Sequence, residues 1–171
     1  EGAAIRSVKI TGVTHEFTTV PGVMEDVVQI LLHLKQIRFR LHGDEPVKLS
    51  LKVKGERVVT AKDFKVPSSV EIVDGDQMIA TITDKKTELE MEIEIDRGVG
   101  YVSVEARDRE EREIGVIAVD SIYSPVKRVN YEVENMRVGK RTDYDKITLE
   151  ILTDGSIAPE EAFAKSVAIL M

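Results

Sequence analysis

The chain has 171 residues, a formal net charge of −7 and no cysteine. That length suits one domain or two small ones with a real core, while the missing thiols exclude disulfides, cysteine nucleophiles and Cys-ligated zinc. An acidic balance without a Lys/Arg cluster also argues against general binding to nucleic acid, which depends on releasing phosphate counterions.

Residues 5–13 open with an approximate alternation of Ile5, Val8 and Ile10, the mark of a strand with one buried face. Val23, Val27, Ile30, Leu31 and Leu34 then recur at three- and four-residue spacing, which predicts a helix over 23–35. Glu25 and Asp26 fall in its first turn and Lys35 near its last, as the helix dipole favours. The longest nearly apolar run, 27–34, lies inside this helix and falls far short of the ~20 residues of a bilayer span. No basic start followed by an apolar stretch marks a signal peptide, so a cytoplasmic location is expected, with no membrane partner. Of the imidazoles His15, His33 and His42, no pair has a helical metal-site spacing, and neither a metal nor a cofactor is expected.

Strands follow at 38–41 and 47–53, then a turn at Gly55-Glu56 leads into 57–60, with further strands at 77–83 and 88–95. In the last of these, Glu88, Glu90, Glu92 and Glu94 alternate with Leu89, Met91, Ile93 and Ile95. Such carboxylates form the polar face of a strand and not a catalytic cluster. Lys48, Lys52 and Lys54 alternate with Leu49, Leu51 and Val53 in the same way. If the two strands pair, lysines oppose glutamates, a match worth roughly 0.2–1 kcal/mol per pair.

Residues 96–102, DRGVGYV, place two glycines one residue apart beside an arginine. A phosphate loop needs its glycines between a strand and a helix, where backbone N–H groups point at the anion. Here the residues after Gly100 alternate like a strand, and the third glycine or Gly-Lys-Ser/Thr ending is missing, so a bent strand connection is predicted. After a strand at 101–105 the run EARDREERE, 105–113, reads as a solvated hairpin tip or a docking loop. Strands at 114–120, 128–138 and 146–152 complete the β-rich pattern, which predicts largely antiparallel sheets. Pro159 then opens a helix with Glu160 and Glu161 behind it and the apolar stripe Ala162, Phe163, Val167 and Leu170. Such a stripe at the end of the sequence predicts a covering partner or a truncated polypeptide.

Three segments, GVTHEFTTVPGVMEDVVQILLHLK (12–35), DRGVGYV (96–102) and IGVIAVDSIYSPVKRVNYEVENMRVGKRTDYDKITLEILTDGSIAPEEA (114–162), resemble the amino-terminal domain of the bacterial RNA polymerase alpha subunit, in the same order and over nearly the whole chain. The resemblance implies an α+β protein, with a β-rich insert domain over residues 2–125 and, over 126–171, the returning carboxy-terminal half of an α/β-sandwich dimerisation domain. It also implies that a first strand and an NALRR-type helix are absent upstream of Gly2, that the last helix breaks off at Met171, and that no carboxy-terminal DNA-binding domain follows. Poor dimerisation and no direct nucleic-acid contact are expected of such a piece. Ala158 stands where the family commonly has Asp, which weakens the helix cap.

The function implied is a non-catalytic scaffold within a nucleotidyltransferase: two alpha subunits pair and nucleate assembly of the β and β′ subunits. Large-subunit contacts map to Gln29, Lys35, Val119, Val126 and Lys146, and the stripe Phe163, Val167 and Leu170 faces the second alpha copy. The acidic residues Glu110, Glu111 and Glu113 resemble the part of the insert used by some transcription activators. For Val119, Val126 and the helix stripe the competing reading is ordinary core, and for Lys35 a solvated helix end. Two other functions stand against the scaffold: a free-standing β-rich module that binds a protein, and a small hydrolase using Glu90 and Glu92.

Overall fold

In a computed structural model, which describes residues 1–107 and 114–171, the chain divides into two units, Glu1–Ser124 and Pro125–Met171. The first contains, in chain order, β1 (Gly2–Ile10), helix α1 (Val27–Leu34), β2 (Phe39–Leu41), β3 (Val47–Lys54), β4 (Arg57–Thr60), β5 (Phe64–Lys65), β6 (Val70–Ile72), β7 (Met78–Ile82), β8 (Glu88–Gly98), β9 (Tyr101–Val102), β10 (Val116–Ala118) and β11 (Ser121–Ile122). The seven-stranded main sheet runs β5-β3-β8-β1-β2-β6, and β10 also pairs with β1. The second edge of β1 is shared: Ala3 opposes Phe39 of β2, and residues 7–9 oppose β10.

Alternation decides which face of this sheet is apolar. Leu49, Leu51 and Val53 of β3 and Leu89, Met91, Ile93 and Ile95 of β8 are buried, while the lysines and glutamates between them face solvent. On β1 a register shift between Ile5 and Ser7 inserts one residue against β8. This bulge returns Val8 and Ile10 to the buried face that Ile5 occupies, so the alternation in the sequence is only approximate. The outermost strands, β5 and β6, have two and three residues. They are too short to show a period, so the sequence does not reveal them, and short edge strands offer little template for further pairing.

The first helix begins at Val27, four residues later than the apolar spacing predicts. Residues before it are extended: Val23 bridges Ile82, and the Met24 N–H donates to the Thr81 carbonyl at 2.9 Å. Asp26 is the N-cap, accepting from the Gln29 N–H at 2.7 Å, while the Gln29 side chain accepts from the Asp26 N–H at 3.2 Å. Glu25 therefore does not serve the helix dipole. It is buried and accepts from the Thr81 N–H at 2.6 Å and hydroxyl at 3.0 Å, tying the helix entry to β7. Val27, Ile30, Leu31 and Leu34 then enter the core, each fully buried side chain contributing roughly 1.5–3 kcal/mol.

The strands predicted at 101–105 and 114–120 are both shorter. β9 stops at Val102, because the Val104 N–H donates to Asp120 Oδ1 at 2.9 Å and the chain enters a 3₁₀ turn at Glu105–Arg107. The second prediction shrinks to β10 on the main sheet, and β11, which pairs with β9, lies just beyond the predicted range.

The second unit holds β12 (Val126–Val138), β13 (Arg141–Thr153) and α2 (Pro159–Leu170). The two strands form one antiparallel hairpin closed by Gly139-Lys140, with Gly139 at φ +63, the positive φ at the first turn position that suits a tight hairpin. β13 starts five residues before the predicted strand at 146–152, its first turn hidden by the polar run Arg141, Thr142 and Asp143. α2 begins with Pro159 at its first position and no side-chain cap from Ala158. Antiparallel β-structure with two α-helices makes the chain α+β, as the sequence indicates.

Candidate interaction surfaces

The carboxylate row of β8 is engaged by lysines. β3 and β8 pair so that Lys48 opposes Glu94, Lys52 opposes Glu90 and Lys54 opposes Glu88. Lys48 lies 3.4 Å from Glu92, and Lys52 lies 3.0 Å from Glu88 and 3.5 Å from Glu90. Partnered, solvent-facing carboxylates of this kind are the polar strand face that the alternation predicts. DRGVGYV is likewise a bend: β8 ends at Gly98, Gly100 turns the chain at φ +69, and β9 begins at Tyr101. Among the described residues no group of three or more His, Asp or Glu is placed to hold a metal ion, and no helix is long and apolar enough to cross a membrane.

Apolar surface is the more telling feature. The pairing of β12 with β13 sets Val129 opposite Ile151, Tyr131 opposite Leu149, and Val133 opposite Ile147. Because side chains alternate across a pleat, these six share one face. The other face is polar along its middle, where Arg128 meets Glu150 at 2.8 Å, Asn130 meets Glu150 at 3.2 Å and Lys146 meets Glu134 at 3.1 Å, with Met136, Tyr144 and Leu152 toward its ends. Within this chain the apolar side is open, with Tyr131 73% and Ile147 63% exposed. On α2, Phe163, Val167 and Leu170 are also exposed, so the helix carries a second uncovered stripe.

The residues singled out from the sequence are scattered by this arrangement. Phe163, Val167 and Leu170 share one exposed stripe of α2. Lys146 lies on the polar face of the ribbon, and Val126 is half-buried at the start of β12. In the first unit Gln29 is exposed but occupied in capping α1. Lys35, the C-cap of α1, reaches Asp120 at 3.9 Å. Exposed Val28 and Leu32 on the same helix complete an outward apolar strip. Val119 is different. Its side chain is buried and its N–H donates to the Arg6 carbonyl at 3.1 Å, so it sits in the core of the first unit and not on its surface. Glu110, Glu111 and Glu113 lie outside the described residues.

Sequence reasoning missed the ribbon face as a site. The signal was present in two alternating strands around a Gly-Lys turn, which fixes the register and therefore the shared face.

The chain is similar to known proteins. Residues 8–124 match the family described as the RNA polymerase Rpb3/RpoA insert domain. The chain is 50% identical over 170 residues to the DNA-directed RNA polymerase subunit alpha of Moorella thermoacetica, covering 99% of this chain and 54% of the relative. For the subunit of Carboxydothermus hydrogenoformans the identity is 52% over 170 residues, covering 99% and 54%. For that of Symbiobacterium thermophilum it is 51% over 169 residues, covering 99% and 53%. The chain spans about half the length of the curated relatives it matches. With likeness running through both units, this chain belongs to the bacterial RNA polymerase alpha-subunit family.

Proposed function

We propose that the chain is part of a non-catalytic assembly scaffold of bacterial RNA polymerase, a subunit of a nucleotidyltransferase that supplies interfaces and no reacting group. Residues 2–125 serve as the insert domain that meets the large subunits, and 126–171 as the returning part of the dimerisation domain. In this reading Phe163, Val167 and Leu170 face a second alpha subunit, and Gln29, Lys35, Val126 and Lys146 meet the β and β′ subunits in the cytoplasm. Val119 would act there through the core it fills. Glu110, Glu111 and Glu113 form the acidic stretch available to activators.

The observation that carries this reading is the open apolar ribbon of Val129, Tyr131, Val133, Ile147, Leu149 and Ile151. A two-stranded hairpin is marginal on its own in water, and an apolar face of this kind belongs to an obligate interface, which typically buries about 2,000 Å² or more. The test is co-purification of polymerase large subunits and of a second alpha copy with the full-length protein carrying Tyr131→Asp and Ile147→Asp together. Loss of assembly with the first unit still folded supports the scaffold. Undiminished assembly would refute it and favour a free-standing protein-binding module, for which the closed core of the first unit speaks.

A further inference from the structure

β9 and β11 form a two-stranded sheet of their own, outside the seven-stranded one. Their hold on the main sheet converges on one buried side chain, Tyr123. The ring of Tyr123 lies against Gly98 at the end of β8, where an added Cβ would come within 2.6 Å of Cε2. Its hydroxyl donates to Asp96 Oδ1 at 2.6 Å and accepts from Arg107 Nη2 at 3.2 Å. Arg107 Nη1 reaches back to the carbonyls of Arg6 at 3.4 Å and Val119 at 3.5 Å, and Arg6 stands 3.8 Å from the second Asp96 oxygen. One further tie, from Ser121 Oγ to the Ile5 carbonyl at 2.6 Å, joins β11 to β1. Burial and the Asp96 hydrogen bond raise the Tyr123 phenol above its ordinary value of 10.0, so the hydroxyl remains a donor at neutral pH.

The segment contributes little else to the core. Val99, Tyr101 and Ile122 are all exposed, whereas β3 and β8 bury every second side chain. Regions with few buried apolar contacts open at a lower free energy than the global transition, as contiguous cooperative pieces. The Tyr123 and Ser124 N–H groups both donate to the Gly100 carbonyl, at 2.8 and 3.2 Å, which binds the two ends of the segment to each other and makes it move together.

We propose that residues 99–107 and 121–124 form a strap that opens as one unit while the main sheet stays closed, and that Tyr123 is its latch. Ser124 is the last residue of the first unit. The strap does not depend on the scaffold reading.

Amide hydrogen exchange of this chain, followed by mass spectrometry of its peptides, tests the strap. In the wild type, peptides covering 99–107 and 121–124 should exchange faster than those of β3 and the β8 interior. Tyr123→Phe, which keeps the ring and removes the hydroxyl, should accelerate the strap peptides about tenfold and leave β3 and β8 unchanged, as expected for loss of one buried hydrogen bond to a charged group. Gly98→Ala, whose added Cβ would crowd the Tyr123 ring, should accelerate the same peptides. Equal rates in strap and β8 in the wild type, uniform acceleration of the whole first unit by Tyr123→Phe, or no change in the strap would each overturn the proposal.

Discussion

The two units are made from the same material and end in opposite states. Both rest on long antiparallel strands in which apolar and charged side chains alternate, as in Glu88–Gly98 of β8 and Arg141–Thr153 of β13. In the first unit the apolar face is sealed: Leu49, Leu51, Ile93 and Ile95 have no exposed surface, and α1 contributes fully buried Val27, Ile30 and Leu34 to the same core. Among the described residues every buried side-chain nitrogen or oxygen has a partner. In the second, Val133 and Ile147 face each other across the ribbon and remain largely exposed. Alternation states which face is apolar and leaves open what covers it. The free energy available from burial, about 25 cal/mol per Å² of apolar surface, is already realised in the first unit and still available for association in the second.

The sharpest way to break this contrast is a matched pair of truncations. Ile93→Ala removes a fully buried side chain and should lower stability by about 2–5 kcal/mol. Ile147→Ala removes an exposed one and should cost under about 0.5 kcal/mol in this chain. Denaturant unfolding followed by circular dichroism compares them, and equal losses would mean that the ribbon is covered in solution. The next largest effect tests the proposed partner. In the full-length protein, Tyr131→Asp should weaken binding of the covering polypeptide by at least about thirtyfold, corresponding to about 2 kcal/mol for a central aromatic contact. The unfolding of the first unit should not shift, and titration by fluorescence anisotropy reads the difference.

Much of the fold is legible in the sequence where the period is long enough to count. The β3–β8 charge match could be written down from two alternating runs, and the register places Lys52 opposite Glu90 as that pattern requires. The helix start was hidden because Val23 keeps the helical spacing while its backbone pairs with Ile82, a tertiary contact that no local period encodes. The same contact reassigns Glu25 from helix dipole to Thr81. Of the surfaces, the α2 stripe could be read from spacing alone. Val119 could not be resolved, because a valine in a short strand looks the same whether it faces core or partner. The ribbon face required knowing that 128–138 and 141–153 are one hairpin, which the Gly139-Lys140 turn implies only once both strands are given their full length.

A smaller effect sharpens the comparison inside the first unit. Asp26→Ala removes the carboxylate that accepts from the Gln29 N–H, and leaves the Asp26 N–H, the Gln29 side chain and the core residues in place. It should cost about 1 kcal/mol, visible as a modest drop in the urea midpoint with an unchanged slope. A loss as large as that of Ile93→Ala would show that the cap also anchors the extended segment that pairs with β7.

The smallest expected effect belongs to the polar face of the ribbon. The Glu150 carboxyl is held below its ordinary value of 4.5 first by the Asn130 side-chain hydrogen bond and then by Arg128. A depressed folded-state value means that the carboxylate's contribution is fully present above the unfolded value and is lost as pH falls through the lower folded one. The hairpin should therefore be indifferent to pH between neutrality and about pH 5.5, and loosen only below the ordinary carboxylate range. Because the pair is exposed to solvent the change is small and weakened by salt. Backbone amide shifts of β12 and β13 followed by NMR across that range check it, with Glu150→Gln as the reference. In the variant, Arg128 and Asn130 keep a neutral partner and the acid-dependent shift around position 150 should vanish, while that near Asp143, which Arg141 also holds low, persists. A shift of equal size in Glu150→Gln would assign the titration to another carboxylate and leave the polar face without a measurable part in holding the ribbon together.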